Sequence, residues 1–116
     1  MYFSIENLGD IVVARVNLSR ATFREAEEFK SKISEQLENG FTKIIVDLSD
    51  CNFIDSTFLS TMVSVLKNVS KKGGSLKLIG VHAEAQALLE LTGTAKIFEI
   101  YKSKQEAIKS FKTKAA

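Results

Sequence analysis

The sequence predicts one α/β domain built on a single mixed β-sheet, with a β-hairpin followed by alternating strands and helices in the order ββαβαβαβα. Three observations predict this fold. Short β-rich runs alternate along the chain with segments of helical periodicity. Residues 44–48 are nearly continuous in apolar residues, which is typical of a central strand covered on both faces. The 116 residues, 45% of them hydrophobic, are enough for one continuous core.

The opening hairpin and the first helix are predicted from turn and capping signals. Residues 2–7 and 11–16 are β-rich, and the short connection between them contains Gly9 and suits antiparallel neighbours. Thr22 and Glu25 form a capping-box pattern. Apolar residues then recur at helical spacing until residues 39–40, Asn-Gly, end the helix.

The rest of the chain continues the alternation. An apolar helix begins near residue 56 and ends before a Gly-Gly loop, and it is followed by a strand at 76–79 and a helix at 83–91. A last short strand is predicted at 97–100, and a second capping box at 103–106 begins the terminal helix. Parallel strands joined by right-handed crossovers follow from this order, with the functional surface expected beyond their carboxyl ends.

The helix after residue 56 has a wide apolar side. At ~100° per residue its apolar side chains span roughly 160°, more than core packing usually requires. Phe58 and Val65 lie at one margin of this side. They either form part of a partner-binding patch or pack beneath a neighbouring element.

Composition limits the classes of function. The net charge is only +2, and most basic residues are interleaved with acidic ones, so no nucleic-acid footprint is visible. Cys51 and His82 are the only residues of their types, so neither an internal disulfide nor a zinc site is expected. No metal or cofactor is predicted. No signal-peptide or membrane-spanning pattern is visible, and a cytoplasmic protein is expected.

Asp55 and Ser56 stand where an apolar strand has run out and the apolar helix begins. One interpretation is structural, because Asp and Ser are favoured N-caps that accept backbone N–H groups of the first turn. The other is functional, because a helix N-terminus attracts anions and tolerates an added phosphate.

Three other functions have little support in the sequence. A hydrolase would need Ser56 activated by His82, but no Gly-x-Ser-x-Gly elbow surrounds the serine, and His82 is more simply a residue near a helix start. The Gly73-Gly74 pair leads into a strand and is a turn rather than a phosphate-binding loop. Cys51 has no obvious cation beside it, which predicts an inert, semi-buried thiol.

Three blocks of the sequence resemble a known family, the STAS domain, and in particular the small bacterial anti-sigma factor antagonists. The first block runs from Ile-Ile-Val-Asp-Leu-Ser at 44–49 to Phe-Ile-Asp-Ser at 53–56. The others are Lys-Gly-Gly before Leu-Lys-Leu at 72–78 and Leu-Thr-Gly before Lys-Ile-Phe at 91–98. The resemblance covers nearly the whole chain, with a STAS-like domain expected at 1–113 and a frayed tail at 114–116.

The resemblance implies a regulator that acts by partner switching and is not an enzyme. Such an antagonist binds an anti-sigma factor, a serine kinase with a histidine-kinase-like ATPase fold, and is released when a serine is phosphorylated. Ser56 matches the phosphoacceptor. The residues expected to contact the partner are Asp55, Thr57, Phe58 and Ser19, the last of which falls about where the family often has aspartate. A weak homodimer through the amino-terminal hairpin stays open.

The chain departs from the family pattern directly after the serine. The family usually continues Asp-Ser-x-Gly-Leu-Gly, whereas this chain has Phe58 and Ser60 in the two glycine places. A phenyl ring there adds bulk and apolar area. Either the partner surface is adapted to it, or the chain is a STAS scaffold or ligand-binding module, of a signalling or transport complex, that works without phosphorylation.

Overall fold

A computed structural model describes residues 1–112 and confirms a mixed α/β fold with strands and helices alternating along the chain. Five strands form the main sheet. Across the sheet they lie in the order β1 (Phe3–Leu8), β2 (Ile11–Val16), β4 (Lys43–Asp47), β6 (Ser75–Ile79) and β7 (Glu99–Tyr101). The hairpin β1–β2 is antiparallel, and the remaining neighbours in this sheet are parallel.

Three helices connect these strands, α1 (Phe23–Glu38), α2 (Ser56–Lys71) and α3 (Ala83–Leu91), and a fourth, α4 (Lys104–Lys112), follows the last strand. Helices α1, α2 and α3 contribute to the main core on one face of the sheet, and α4 covers part of the other face. Strand β4 is therefore buried on both faces. Ile44 and Val46 lie in the main core, and Ile45 lies in the smaller core beneath α4. The nearly continuous apolar run of this strand is explained by burial on both faces.

Two short strands were not predicted. β3 (Arg20–Ala21) and β5 (Phe53–Ile54) pair in parallel and form a separate two-stranded sheet. Two residues are too few for a period-2 pattern, so their pairing depends on the main fold bringing the two segments together. The strand β5 of this small sheet directly precedes α2 in the chain.

The last strand begins two residues later than predicted. Thr94–Lys96 form a 3₁₀ turn, and Ile97 ends it with its backbone N–H bonded to the carbonyl of Thr94. Phe98 then turns into the core, where it is 5% exposed, before β7 begins at Glu99. The apolar residues at 97 and 98 resemble the start of a strand, but Ile97 ends the 3₁₀ turn and Phe98 packs in the core.

The core includes one charged side chain. Lys77 on β6 is fully buried, and its Nζ lies 2.8 Å from Oε1 of Glu99. The same Nζ lies 4.5 Å from the ring centroid of Phe111 and 5.3 Å from that of Tyr101. A carboxylate and two aromatic faces therefore replace the water that this cation loses on burial.

Candidate functional site

Asp55 connects the N-termini of two helices. Its Oδ1 accepts a hydrogen bond from the backbone N–H of Phe58 in α2 at 2.7 Å, and its Oδ2 accepts one from the backbone N–H of Phe23 in α1 at 2.9 Å. A carboxylate is favourable at a helix N-terminus because the unpaired N–H groups there carry partial positive charge. One side chain therefore caps α2 and also holds the start of α1 against it.

The small sheet places Ser19 beside the segment that leads to Asp55. The carbonyl of Ser19 accepts hydrogen bonds from the backbone N–H groups of Asn52 at 2.8 Å and Phe53 at 3.1 Å. The backbone N–H of Asp55 bonds to the carbonyl of Ala21 at 3.1 Å. Ser19 and Asp55 therefore lie on neighbouring segments, although they are far apart in sequence. We call the surface formed by Ser19, Asp55 and the first residues of α2 the rim.

Ser56 and Thr57 are exposed at the first two positions of α2. Within residues 1–112, the Ser56 hydroxyl has no hydrogen-bond partner, and the backbone N–H groups of Ser56 and Thr57 donate to none. Free N–H groups at a helix N-terminus form a site that tolerates an anion. The hydroxyl of Ser56 is thus accessible from solvent at a positively polarised helix end.

The expectation that Phe58 contacts a partner is corrected by its burial. Its side chain is fully buried, and its ring lies 5.0 Å from that of Phe29 and 6.4 Å from that of Phe3, measured between centroids. Val65 is buried as well, at 2% exposed. Because α2 packs against both the sheet and α1, it needs a wider apolar side than a helix with one neighbour.

Two arginine–aromatic pairs flank the rim and were missed by sequence reasoning. The Arg20 guanidinium lies 4.1 Å from the ring centroid of Phe53, and that of Arg24 lies 5.7 Å from the ring centroid of Phe23. Arg20 and Phe53 face each other in the small sheet, which had no sequence signal. Phe23 donates its backbone N–H to Asp55 and is itself 63% exposed, so one of these arginine–aromatic pairs adjoins the capping carboxylate.

The sequence matches a protein-family model. The model of the STAS domain matches residues 2–107. The chain belongs to the STAS domain family. This membership confirms the resemblance seen in the three sequence blocks.

The relatives of this STAS domain include bacterial proteins named as anti-sigma factor antagonists. The "Putative anti-sigma factor antagonist" of Thermotoga maritima is 30% identical over 113 residues, which cover 97% of this chain and 99% of the relative. The anti-sigma-B factor antagonist of Bacillus subtilis is 33% identical over 75 residues, or 65% of this chain and 68% of the relative. A crystal structure of a Thermotoga maritima protein described in the same words as the first has a TM-score of 0.84 at 29% identity, covering 93% of this chain and 92% of that one.

His82 is not placed as a general base for Ser56 in this STAS domain. Its Nε2 lies 2.6 Å from the carbonyl oxygen of Ser49, and it makes no hydrogen bond to Ser56. Among residues 1–112, no group of His, Cys, Asp and Glu side chains has a metal-binding arrangement. In the same part of the chain, each helix is too short or too polar to cross a membrane.

Cys51 should be nearly inert in the folded STAS domain. Its side chain is fully buried and its thiol donates to the carbonyl of Phe53 at 3.3 Å, and burial raises the pKa of the thiol. At pH 8, iodoacetamide should label Cys51 at least about 100-fold more slowly than in the same chain unfolded in urea, because labelling requires local opening. Comparable rates in both states would contradict this expectation.

The raised pKa of the Cys51 thiol makes the free energy of unfolding depend on pH. Because the pKa of the Cys51 thiol is higher in the folded chain than in the unfolded chain, folding favours the protonated form. Its contribution is fully present below about pH 8.5, the ordinary thiol pKa, and is lost as the pH rises through the higher folded value. Urea unfolding at pH 7 and pH 10, compared with Cys51→Ser, measures this contribution.

Proposed function

We propose that this chain is a non-enzymatic anti-sigma factor antagonist whose binding to an anti-sigma factor kinase is abolished by phosphorylation of Ser56. The proposed partner is a serine kinase with a histidine-kinase-like ATPase fold, and the proposed site of action is the cytoplasm. The observation that carries the proposal is the solvent-accessible Ser56 hydroxyl at the first residue of α2, directly after the capping Asp55. The name of the Bacillus subtilis relative, an anti-sigma-B factor antagonist, supports the class of partner.

A phosphate on Ser56 is compatible with the folded state. It would add close to two negative charges at a helix N-terminus, where the free N–H groups of Ser56 and Thr57 stabilise an anion. The segment does not depend on the Ser56 hydroxyl for its structure, since Asp55 supplies the cap. We therefore expect a local change of charge, with the fold retained.

The phosphate would act by weakening the binding of the partner. A surface that packs against an uncharged Ser56 would meet a dianion after phosphorylation, and an acidic or apolar surface would be expelled by repulsion and desolvation. Asp55 adds a negative charge beside the phosphate and strengthens this effect. Thr57 and Ser19 lie within or beside the same rim and are proposed as partner contacts.

The experiment is phosphorylation by a serine kinase of the proposed class, an anti-sigma factor with a histidine-kinase-like ATPase fold. The purified chain is incubated with that kinase and ATP, and intact-mass and fragment mass spectrometry locate the phosphate. We expect one phosphate on Ser56, no incorporation in Ser56→Ala, and normal incorporation in Ser60→Ala, which removes an exposed hydroxyl one turn later. An unmodified wild-type chain in the presence of active kinase would refute the proposal, and a phosphate on Thr57 would refute the residue assignment.

The alternative, a STAS scaffold that acts without phosphorylation, drew its support from Phe58 and Ser60 in the glycine places. The Phe58 ring is buried between Phe3 and Phe29, so it adds neither bulk nor apolar area to the helix start. Ser60 adds only a small exposed hydroxyl. This geometry favours the switch. Ser56→Asp should weaken kinase binding at least about tenfold, and unchanged binding would favour the scaffold.

A further inference from the structure

A groove runs along α2 away from Ser56. It consists of two adjoining depressions of about 450 Å³ and 690 Å³ that share Lys67 in their lining. The first begins at Ser56 and lies between α2 and the turn after α3, which contributes Thr92 and Thr94. The second continues past Lys67 to Lys71 near the end of α2 and reaches the main sheet at β6 and β7. Because α2 rises 1.5 Å per residue, the groove is about 20 Å long.

The floor of the groove is partly apolar. Leu59 and Val63 line its first part, and Leu66 and Leu76 line its second part together with Ile97. Ile97 is 50% exposed, so a large apolar side chain stands uncovered beside the floor. An uncovered apolar surface of this kind gains free energy when a partner excludes water from it.

The charged side chains of the groove are mainly cationic. Lys67 and Lys71 are exposed, and neither forms an ion pair within residues 1–112. The acidic residue in the lining is Glu99, whose carboxylate already binds the ammonium of Lys77 and the hydroxyl of Tyr101. Two free ammonium groups therefore face a ligand, whereas the negative charge is compensated internally.

We propose that this groove binds a segment of the protein partner in which apolar side chains alternate with Asp or Glu. The apolar residues would cover Leu66 and Ile97, and the carboxylates would pair with Lys67 and Lys71. The proposal rests on the proposed function for the identity of the protein that carries the segment, and it extends the interface from the helix start along the length of α2. Electrostatic complementarity of this kind selects the partner and speeds association.

The position of Ser56 at one end of the groove links binding to phosphorylation. A phosphate there would place close to two negative charges at the end of a groove that otherwise attracts an acidic segment. It would oppose the attraction that Lys67 and Lys71 provide. The switch would therefore act on the whole bound segment through charge, with no movement of α2.

The test uses the full, unphosphorylated chain and a phage-displayed library of random 15-residue peptides, with no kinase. Enriched peptides should contain both acidic and apolar residues, and their binding should shift the methyl NMR signals of Val63, Leu66 and Ile97. In the double variant Lys67→Glu/Lys71→Glu, the affinity should fall about tenfold or more. The control Lys30→Glu/Lys102→Glu makes the same change in net charge at exposed residues outside the groove and should alter the affinity less than about twofold.

Several outcomes would overturn the groove proposal. They are the absence of enriched peptides, enrichment of non-acidic peptides, and equal loss of affinity in the control double variant. Concentration-dependent methyl shifts of Leu66 and Ile97 without peptide would show that a second copy of the chain is the occupant. None of these results depends on a phosphate, so the groove proposal and phosphorylation of Ser56 can fail separately.

Discussion

Phe58→Ala should lower the free energy of unfolding by about 4 kcal/mol, the usual cost of truncating a fully buried phenylalanine. The Phe58 ring is 0% exposed and contacts the rings of Phe3 and Phe29, which join the first strand and α1 to α2. Its loss leaves a cavity at the point where these elements meet. For a domain of this size the expected decrease in melting temperature is about 15 °C.

Urea unfolding followed by circular dichroism measures this cost. The matched controls are Phe58→Leu, which keeps most of the apolar volume and should cost less than about half as much, and Thr57→Ala, an exposed neighbour that should change the free energy of unfolding by less than about 0.5 kcal/mol. A cost below about 1 kcal/mol for Phe58→Ala would mean that the ring is not in the core. Folded Phe58→Leu should also bind the proposed kinase partner normally, because the ring is buried and does not reach the surface.

Asp55→Ala should lower the free energy of unfolding by about 2 kcal/mol, a large effect for a partly exposed residue. The substitution removes two hydrogen bonds from one carboxylate, one to the N-terminus of α2 and one to that of α1. Water replaces part of both bonds because the site is at the surface, so the expected loss is smaller than the sum of two charge-assisted bonds.

Amide hydrogen exchange distinguishes the two capping roles. In Asp55→Ala, exchange at the amides of Phe23 and Phe58 should both accelerate. Asp55→Ser keeps an N-cap for α2 but is too short to reach α1, so only the Phe23 amide should accelerate, with about half the loss of stability. The control Asp50→Ala removes an exposed ion pair with Arg15 in the same connection and should cost less than about 1 kcal/mol. Unchanged Phe23 exchange in Asp55→Ala would exclude the bridge between the helices.

The strands and helices were largely predictable because their signals are local. The capping box of α1 forms as predicted: the Thr22 hydroxyl accepts the Arg24 N–H, and the Glu25 carboxylate accepts the Thr22 N–H. Asp55 at the N-cap of α2 was likewise readable, since one side chain and the first turn of its own helix define the cap. The covered central strand β4 followed from one short apolar run.

The contacts that shape the candidate site were not readable, because they join segments far apart in the chain. The second bond of Asp55 reaches α1, and Arg20 meets Phe53 only through the pairing of β3 with β5. Helical periodicity placed Phe58 at the margin of an apolar face, but it could not show that two neighbours cover that face. The groove beyond Ser56 depends in the same way on how the turn after α3 packs beside α2.

At the Asp55–Ser56 pair, some features were determined by the local sequence and others by tertiary packing. Local capping preferences determined that a carboxylate and a hydroxyl would begin α2, since both depend on interactions within one turn of the helix. Tertiary packing decided that the carboxylate also holds α1, that Phe58 turns inward, and that Ser56 faces solvent at the end of a lysine-lined groove. These outcomes require the relative positions of separate helices and strands, which depend on long-range contacts rather than on any local pattern.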